Sequence, residues 1–385
     1  MAKLIGSAPN QISTNADLGS MAFEDRTNYI TKGASVHQPY RNIIINGDMS
    51  IAQRGTSTAS ITSNNYTIDR WFMNLGTSGT WTISQDTNVP TGQGFAYSTK
   101  LDCTTANASL SASSNFSFQQ RFEGQNLQYL KYGTANAQNL TLSFWVKTNK
   151  TGTYIVELRD GSFSRNISKS YTVNVSNTWE KKTITFEGDT TGILPNDNTG
   201  ALVLAMWLSA GTNFTSGTLN TSWNTRVAAN VAVGQVNLAD DTANEWYITG
   251  VQLEAGTTAS DFEFLPYDVN LQRCQRYCQV YGGDQATQSV AVGAASSATG
   301  MVATLKPLVK FRATPSASVS AVADFNYLQL SPFTTANLVS FSLVTANSSS
   351  DYVNLDLGIS GATANSYQII RTTNINARLT LNAEL

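Results

Sequence analysis

Short runs of alternating apolar and polar residues, separated by turn-forming residues, constrain the fold of this chain more than any other feature. They recur from residue 41 to residue 267, and residues 116–122 and 140–146 show the alternation most clearly. Successive side chains of a strand point to opposite faces, so a period of two predicts strands with one buried face. No helical period competes with it in this region. Repeated short strands with polar turns between them predict a sandwich or a barrel.

One run in this series is apolar throughout. Residues 202–208 contain no charged or strongly polar side chain. A strand of that kind is buried on both faces, so we expect it at the centre of a sheet. No apolar run approaches the roughly 18 residues of a membrane-spanning helix, and membrane insertion is not expected. The apolar run at residues 42–48 is expected to open the strand series, and residues 246–253 are expected to close it.

Changes in pattern divide the chain into four parts, and the fold class expected for the whole is all-β. Residues 1–40 are poor in apolar side chains and are expected to form an N-terminal arm that becomes ordered against a partner, with a flexible terminus as the alternative. Residues 41–267 carry the main β-sandwich. Residues 268–285 are expected to form a short junction helix and a linker. Residues 286–385, where the alternation resumes, are expected to form a small C-terminal β-sandwich.

The arm contains one candidate helical turn. An Asn and an Asp precede Leu18 and can cap a turn that continues towards Phe23. A single turn cannot bury enough surface to be stable alone, so its side chains are expected to contact a partner protein. These candidate contacts are Asn15, Asp17, Leu18, Met21 and Phe23.

A short heptad pattern marks the expected junction. Leu271, Cys274, Cys278 and Tyr281 follow one another at spacings of three, four and three residues, which places them on one face of a helix. The pattern spans too few heptads for an isolated coiled coil. It suits a helix at a contact between domains or around a three-fold axis, and a helix packed on its own domain is the alternative. The two cysteines are expected to be small buried apolar side chains rather than metal ligands.

The charged and nucleophilic side chains exclude several function classes. Only 13% of the residues are charged and the formal net charge is −2, so the chain lacks the basic surface that nucleic-acid binding requires. His37 is the single histidine and lies in the expected arm, so a Ser-His-Asp or Cys-His site would have to use it. Three cysteines do not make a disulfide framework, and no apolar signal segment opens the chain, so synthesis in a reducing cytoplasm is expected. The chain is predicted not to be an enzyme.

Paired carboxylates leave one catalytic route open. The conspicuous pairs are Glu157 with Asp160 and Asp261 with Glu263. A glycosidase needs two carboxyl groups that face each other across a cleft. Acidic pairs at such spacings usually lie on a solvated surface, so a polysaccharide depolymerase is only the third alternative for this chain.

Three stretches resemble bacteriophage tail fibres and related virion receptor-binding proteins, especially those of marine and cyanobacterial phages. The first is NADLGSMA at residues 15–22. The second, NIIINGDMSIAQRG at residues 42–55 with YTIDRW at 66–71, is similar to the opening of a jelly roll of the carbohydrate-binding-module type. The third is the matching close, made of GVQLEAG, FEFLPY and CQRYC at residues 250–256, 262–267 and 274–278. Residues 286–385 carry only an FRATP echo at 311–315.

The resemblance implies a homotrimeric component of a phage tail. Its N-terminal arm would attach to the tail or to an adaptor protein, and its distal domains would bind a host-surface glycan or receptor on the outside of the virion. The chain departs from long fibres because it has no extended shaft and no long coiled coil, so a short fibre is expected. A virion adaptor or capsid-decorating protein with the same folds and no receptor is the alternative.

Jelly rolls of this type stack an aromatic ring on a sugar and read its hydroxyl groups with polar side chains. Aromatic residues that stand among polar ones in a loop are the candidates, and they indicate Trp223, Arg226 and Phe214 as ligand contacts. Trp223 could equally lie in the trimer interface. The resemblance also allows a structural calcium ion held by Asp48 and Glu254, with turn capping as the alternative for Asp48. No other cofactor is expected.

Overall fold

The computed structural model of the protein describes residues 40–331, 333–344 and 347–385. Within these residues the secondary structure is almost entirely strand, which confirms the all-β fold class. The first domain contains strands β1 (Ser57–Ile61), β2 (Asn65–Tyr66), β3 (Phe72–Gly76), β4 (Thr80–Asp86), β5 (Ser98–Thr105), β6 (Asn115–Glu123), β7 (Leu140–Thr148), β8 (Gly152–Asp160), β9 (Arg165–Val173), β10 (Glu180–Phe186), β11 (Gly200–Ala210), β12 (Asn224–Thr225) and β13 (Glu245–Ala255).

Two antiparallel sheets form a β-sandwich of the jelly-roll type in this domain. Sheet I has the strand order β1-β4-β5-β13-β7-β10, and sheet II has the order β12-β9-β8-β11-β6-β3-β2. Most neighbouring strands are not consecutive in the sequence, so each sheet brings together residues that lie far apart along the chain. The apolar run at residues 202–208 lies in β11, in the middle of sheet II, as predicted.

The inward faces of sheets I and II share one apolar core. Trp71 stacks on Phe118 with ring centroids 4.9 Å apart, and Trp81 lies against Phe116 at 4.6 Å. All four rings are completely buried. Burying a side chain of this size contributes about 1.5–3 kcal/mol. Because the core takes one face of sheet II, the strand period of two sends the intervening side chains to the outer face of that sheet.

The apolar run at residues 42–48 is not a strand, contrary to the prediction. Its backbone makes isolated hydrogen bonds with β13, since the N–H of Ile43 donates to the carbonyl of Leu253 and the N–H of Val251 donates to the carbonyl of Gly47, each at 2.9 Å. Between these bonds, the N–H of Ile44 donates to Asn42 Oδ1 at 3.0 Å, and the N–H of Ile45 donates to Gln120 Oε1 at 2.7 Å. Side-chain acceptors thus satisfy the buried N–H groups that a continuous ladder would otherwise pair.

The described residues contain two α-helices, α1 (Thr212–Thr215) and α2 (Tyr267–Gln275), and five 3₁₀ turns. These turns are Gly124–Asn126, Gln128–Leu130, Ala228–Asn230, Leu238–Asp240 and Val322–Asp324. Helix α2 occupies the expected junction.

The predicted helical seam is wrong in its second half. Leu271 and Cys274 lie on α2, but Cys278 and Tyr281 lie in strand β14 (Cys278–Tyr281). The helix ends because β14 pairs with a strand about a hundred residues further along the chain, a contact that local spacing does not reveal. Cys274 and Cys278 are fully buried in the chain itself, and Leu271 and Cys274 pack in a cluster with Ile45, as the own-domain alternative predicted.

The C-terminal domain contains two further antiparallel sheets. Its other strands are β15 (Ser289–Ala295), β16 (Gly300–Leu305), β17 (Ser316–Val319), β18 (Phe325–Leu330), β19 (Phe333–Asn337), β20 (Ser340–Leu343), β21 (Val353–Gly358), β22 (Tyr367–Thr372) and β23 (Leu379–Asn382). Sheet III has the order β14-β23-β17, and sheet IV has the order β19-β18-β22-β15-β16-β21-β20. The segment expected to be a helix and linker thus ends in a strand of this domain.

A small separate unit contains Tyr40, Arg41 and Ser260–Glu263. In it the backbone N–H of Tyr40 donates to Glu263 Oε1 at 2.6 Å. No helix in the described ranges is both long and apolar enough to span a bilayer. Several side chains singled out from the sequence lie outside the described residues, namely Asn15, Asp17, Leu18, Met21, Phe23 and His37.

Candidate functional site

At two successive positions of the central strand β11, the outer face of sheet II has a short side chain between long polar ones. Val203 on β11 pairs with Arg121 on β6 and with Arg159 on β8. Two residues along, Ala205 pairs with Gln119 on one side and with Glu157 on the other. Long side chains therefore flank short ones across three adjacent strands. This arrangement leaves a trough above β11.

A cavity of about 310 Å³ lies over one end of this trough. We call it the arginine cavity, and its lining residues are Arg121, Arg159, Gly161, Phe163, Thr199, Gly200, Val203, Arg312 and Leu385. The lining includes three arginines and no Asp or Glu side chain. It draws on both domains, because Arg312 and Leu385 follow the sandwich in the sequence.

Glu157 is the buried carboxylate beside the arginine cavity. Its two oxygens accept hydrogen bonds from Arg226 Nε at 2.8 Å and from Trp207 Nε1 at 3.2 Å. Arg159 Nε lies 4.0 Å from the same carboxylate. Because Glu157 is completely enclosed and shared between two arginines, it is a structural counter-ion of this face.

Arg159 is buried with incomplete hydrogen bonding. Its Nη2 donates to Gln119 Oε1 at 3.1 Å, but its Nη1 has no acceptor among the residues that the structure describes. Burial lowers the pKa of Arg159 to about 10, against the opposing effect of Glu157. The guanidinium therefore remains charged at neutral pH, with one buried N–H group directed to no protein acceptor.

Arg121 and Arg312 line the other sides of the arginine cavity, and their guanidinium groups donate hydrogen bonds to main-chain oxygens. Arg121 Nη1 donates to the oxygen of Leu385 at 3.0 Å, and its buried Nε has no acceptor in the described ranges. The guanidinium of Arg312 donates to the carbonyls of Ala383, Asn198 and Glu384. Within the described residues, no Asp or Glu side chain lies within 4.0 Å of either arginine. Their charges are therefore not neutralised by side-chain ion pairs.

Phe163 places an exposed aromatic ring at the rim of the arginine cavity. It lies in the turn between β8 and β9 with φ of 61°, a left-handed conformation that costs a non-glycine residue about 1–2 kcal/mol. Asp160 fixes this turn by accepting from the backbone N–H of Ser164 at 2.7 Å. The Phe163 ring lies 3.9 Å from the guanidinium carbon of Arg159 and 50% of the residue is exposed. An exposed aromatic residue held in a strained turn indicates a contact surface.

The structure places the three ligand contacts proposed from the sequence in different surroundings. Arg226 lies at the site, since it pairs with Glu157 and its guanidinium carbon is 5.5 Å from the Phe163 ring. Phe214 packs against Trp207 with centroids 5.3 Å apart. Trp223 is half-buried against the main core, and its Nε1 donates to the carbonyl of Glu187 at 2.7 Å.

Sequence reasoning missed the residues that line the arginine cavity. Phe163 stands between two serines in a turn, which is the same signal that selected Phe214, so it could have been found. Arg121 and Arg159 alternate with apolar residues in strands and look like ordinary solvent-facing positions. Nothing in the sequence indicates that Arg312 would join them.

The two candidate calcium ligands have protein partners. Asp48 Oδ1 accepts from Ser50 Oγ at 3.0 Å and from Asn270 Nδ2 at 3.1 Å, and burial raises the pKa of Asp48. Glu254 Oε1 accepts from Gln252 Nε2 at 2.9 Å. In the described part of the chain, no three His, Cys, Asp or Glu side chains are grouped to hold a metal ion. The calcium site stays a prediction.

The conspicuous carboxylate pairs do not form a cleft in the sandwich domain. Glu157 is enclosed, whereas Asp160 accepts from Ser162 Oγ at 2.9 Å and holds the turn described above. Asp261 and Glu263 lie in the separate small unit.

Among known proteins, the chain is similar to several solved structures, and this similarity is weak. No family model matches the chain, and no curated protein matches it. A tailspike 4 enzymatically active domain of bacteriophage CBA120 aligns at 14% identity and a TM-score of 0.31, over 57% of this chain and 22% of that domain. TmCBM61 in complex with β-1,4-galactotriose aligns at 12% identity and a TM-score of 0.27, over 56% of this chain and 99% of that module. A xylan-binding domain from CBM 22 aligns at 13% identity and a TM-score of 0.27, over 54% of this chain and 98% of that domain.

Proposed function

We propose that the chain is a glycan-binding protein of a phage virion, with its sugar site at the arginine cavity on the outer face of sheet II. The observation that carries this proposal is the combination of Phe163, exposed at the rim, with buried guanidinium groups that have unused donors. Sugars are bound by an aromatic face together with fixed hydrogen-bonding groups. A concave site with a few fixed polar groups is the usual form of such a pocket.

Binding rather than bond cleavage is favoured by the state of the carboxylates. A general acid or nucleophile must reach the scissile bond, and Glu157 is enclosed by Trp207, Arg226 and Arg159 instead. The ionisable side chains that line the cavity are all arginines, which do not transfer protons at neutral pH. We therefore propose a non-catalytic role. Turnover of a polysaccharide by the chain would contradict this role and indicate a depolymerase.

The tail-fibre assignment is the finer part of the proposal. It rests on the resemblance of residues 15–22, 42–55 and 250–256 to tail fibres, which implies a homotrimer attached to the tail through its arm. Exposed apolar side chains on the outer face of sheet IV support self-association, because single soluble subunits rarely expose a contiguous apolar patch. Val302 and Tyr367 both pair with Ala294 on this face, and they are 44% and 75% exposed.

A glycan array tests the binding proposal with two matched aromatic variants. The full chain and the Phe163→Gly and Phe333→Ser variants are applied to an array of neutral and acidic polysaccharides. We expect Phe163→Gly to weaken binding about tenfold, since an aromatic contact is worth about 1.5 kcal/mol. Phe333 is 76% exposed on β19 of sheet IV, so its removal should leave binding unchanged.

Three outcomes would contradict parts of the proposal. Absence of binding to any glycan would favour the adaptor or capsid-decorating role. An equal loss of glycan binding in Phe163→Gly and Phe333→Ser would show that the site is not at the arginine cavity of sheet II. Release of reducing ends from a bound polysaccharide would establish a depolymerase. Size-exclusion chromatography with light scattering of the full chain tests the trimer, and a monomer at micromolar concentration would contradict it.

A further inference from the structure

We infer that the arginine cavity selects an acidic sugar residue, one that carries a carboxylate or a sulfate group. This inference rests on the proposed glycan binding and adds the chemical class of the ligand. It depends on the side-chain charge of the cavity, on its unused donors and on their spacing.

The side-chain charge around the arginine cavity is positive. Three guanidinium groups, those of Arg121, Arg159 and Arg312, line the cavity, and no Asp or Glu side chain does. The carboxylates that act on Arg159 and Arg312 belong to residues outside this lining, namely Glu157, Asp160, Glu123 and Glu384. The chain as a whole has a formal net charge of −2, so this concentration of positive charge is local. An anionic group would enter a favourable potential here.

Unused donors stand on both sides of the trough. Arg159 Nη1 and Arg121 Nε are buried and lack acceptors among the described residues. A carboxylate or sulfate has several oxygens and accepts from guanidinium groups in fork geometry, which makes these hydrogen bonds stronger than those to a neutral hydroxyl. An anion would satisfy these donors once the two side chains turn towards the cavity, because both atoms are buried in the unbound chain.

The spacing of the two arginines leaves room for one sugar residue. Both flank Val203 on neighbouring strands, so their backbones lie roughly 10 Å apart. Val203 does not fill the space between them, and the Phe163 ring lies at the rim on the Arg159 side. A pyranose ring against Phe163 can thus present an acidic substituent to the guanidinium groups.

The test compares pairs of polysaccharides that differ in charge alone. Dextran is paired with dextran sulfate, and methyl-esterified polygalacturonate is paired with polygalacturonate. Affinities of the full chain are measured by biolayer interferometry at physiological salt. We expect at least one anionic polymer to bind about tenfold tighter than its neutral partner, since charge-assisted hydrogen bonds are roughly twice as strong as neutral ones. The pair that shows the preference separates a sulfate ligand from a carboxylate ligand.

Variants that remove single positive charges test whether the preference for anionic polymers arises at the arginine cavity. Arg121→Gln and Arg312→Gln should each reduce the ratio of anionic to neutral affinity about tenfold, and Arg121→Lys should retain part of it because the charge remains. Lys306→Gln removes one positive charge from a side chain that is 72% exposed in the C-terminal domain. This control should not change the ratio. Thermal unfolding of each variant shows whether it is folded, and the comparison of polymers on the unaltered chain does not depend on any variant.

The outcomes separate this inference from the proposed function. Equal binding of charged and neutral partners, with loss in Phe163→Gly, would overturn the acidic-sugar inference and leave glycan binding intact. A preference for anions that Lys306→Gln lowers as much as Arg121→Gln would also overturn it, since the attraction would then be general. Absence of binding to every polymer would overturn the glycan proposal and the inference together.

Discussion

The two seven-stranded sheets of this protein differ most on their outer faces. The outer face of sheet II buries Glu157 and Arg159 in a hydrogen-bonded network beneath covering segments of chain. Sheet IV contains only two charged residues, Asp356 and Arg371, and neither is buried. Its outer face instead exposes apolar side chains such as Val292.

The buried charges of sheet II support the proposal that binding is concentrated on its outer face. Burying charged groups is costly, and replacing them with apolar residues often leaves a fold as stable or more so. The core of sheet II is complete without the charges on its outer face. We propose that these charges serve binding, whereas the outer face of sheet IV needs only to pack or to associate.

Removal of the buried carboxylate should have the largest effect. Glu157→Gln leaves Arg159 and Arg226 without their counter-ion, and we expect a loss of about 3 kcal/mol in the free energy of unfolding. Asp356→Asn on sheet IV is the matched change at an exposed position and should cost less than about 0.5 kcal/mol.

Tryptophan fluorescence during chemical denaturation measures the free energy of unfolding of the Glu157→Gln variant. All seven tryptophans lie between residues 71 and 246, so the signal reports on the sandwich domain alone. The Asp356→Asn variant is followed by circular dichroism. Similar losses in the two variants would remove the distinction between the two faces.

Gly161→Ala should have the next largest effect. A Cβ atom at Gly161 would lie 1.6 Å from the carbonyl oxygen of Gly200, so the backbone at the cavity rim would have to move. We expect a loss of about 2 kcal/mol. Gly300→Ala in sheet IV is the control, because its Cβ would meet only Ser296 Oγ at 3.4 Å and Ser297 Oγ at 3.6 Å.

Calorimetry on both glycine variants checks this contrast. The Gly300→Ala variant should unfold at the temperature of the unaltered chain or slightly above it, since alanine restricts the unfolded chain. If Gly161→Ala unfolds at the same temperature as the unaltered chain, the rim of the arginine cavity is loosely packed.

Acidification should destabilise sheet II through protonation of Glu123. We expect this effect on stability to be smaller than those of Glu157→Gln and Gly161→Ala. Burial pushes the pKa of Glu123 up, but hydrogen bonds from Arg276 and Tyr277 outweigh burial and hold the pKa below its usual value. A lowered folded-state pKa contributes stability above the unfolded pKa of about 4.3, and that contribution is lost as pH falls through the folded value. The tryptophan-monitored melting temperature should therefore fall between about pH 5 and pH 3. The fall should be shallower in Glu123→Gln, and an identical slope would contradict this assignment.

Much of the fold could be predicted from the sequence because strand alternation is a local property. The central position of β11, the junction helix α2 and the resumption of strands after it follow from patterns within single segments. Residues 42–48 were misjudged because they make only isolated backbone bonds with β13, while side chains accept from the N–H groups of Ile44 and Ile45. The end of α2 was misjudged because the pairing of β14 with β23 is non-local.

Less of the candidate site could be predicted, for the same physical reason. Arg226 was identified as a loop residue beside an aromatic one, and it does reach Glu157. Arg121 and Arg159 become neighbours only through β11, which pairs with both of their strands. Arg312 comes from the other domain. A site assembled by register across strands leaves no contiguous motif in the sequence.

A structure of the full chain with the acidic oligosaccharide that binds best would show whether the arginine cavity is the sugar site. We predict sugar density in the arginine cavity, with a ring against Phe163 and an acidic group between Arg121 and Arg159. Density on the outer face of sheet IV, with the arginine cavity empty, would contradict the account.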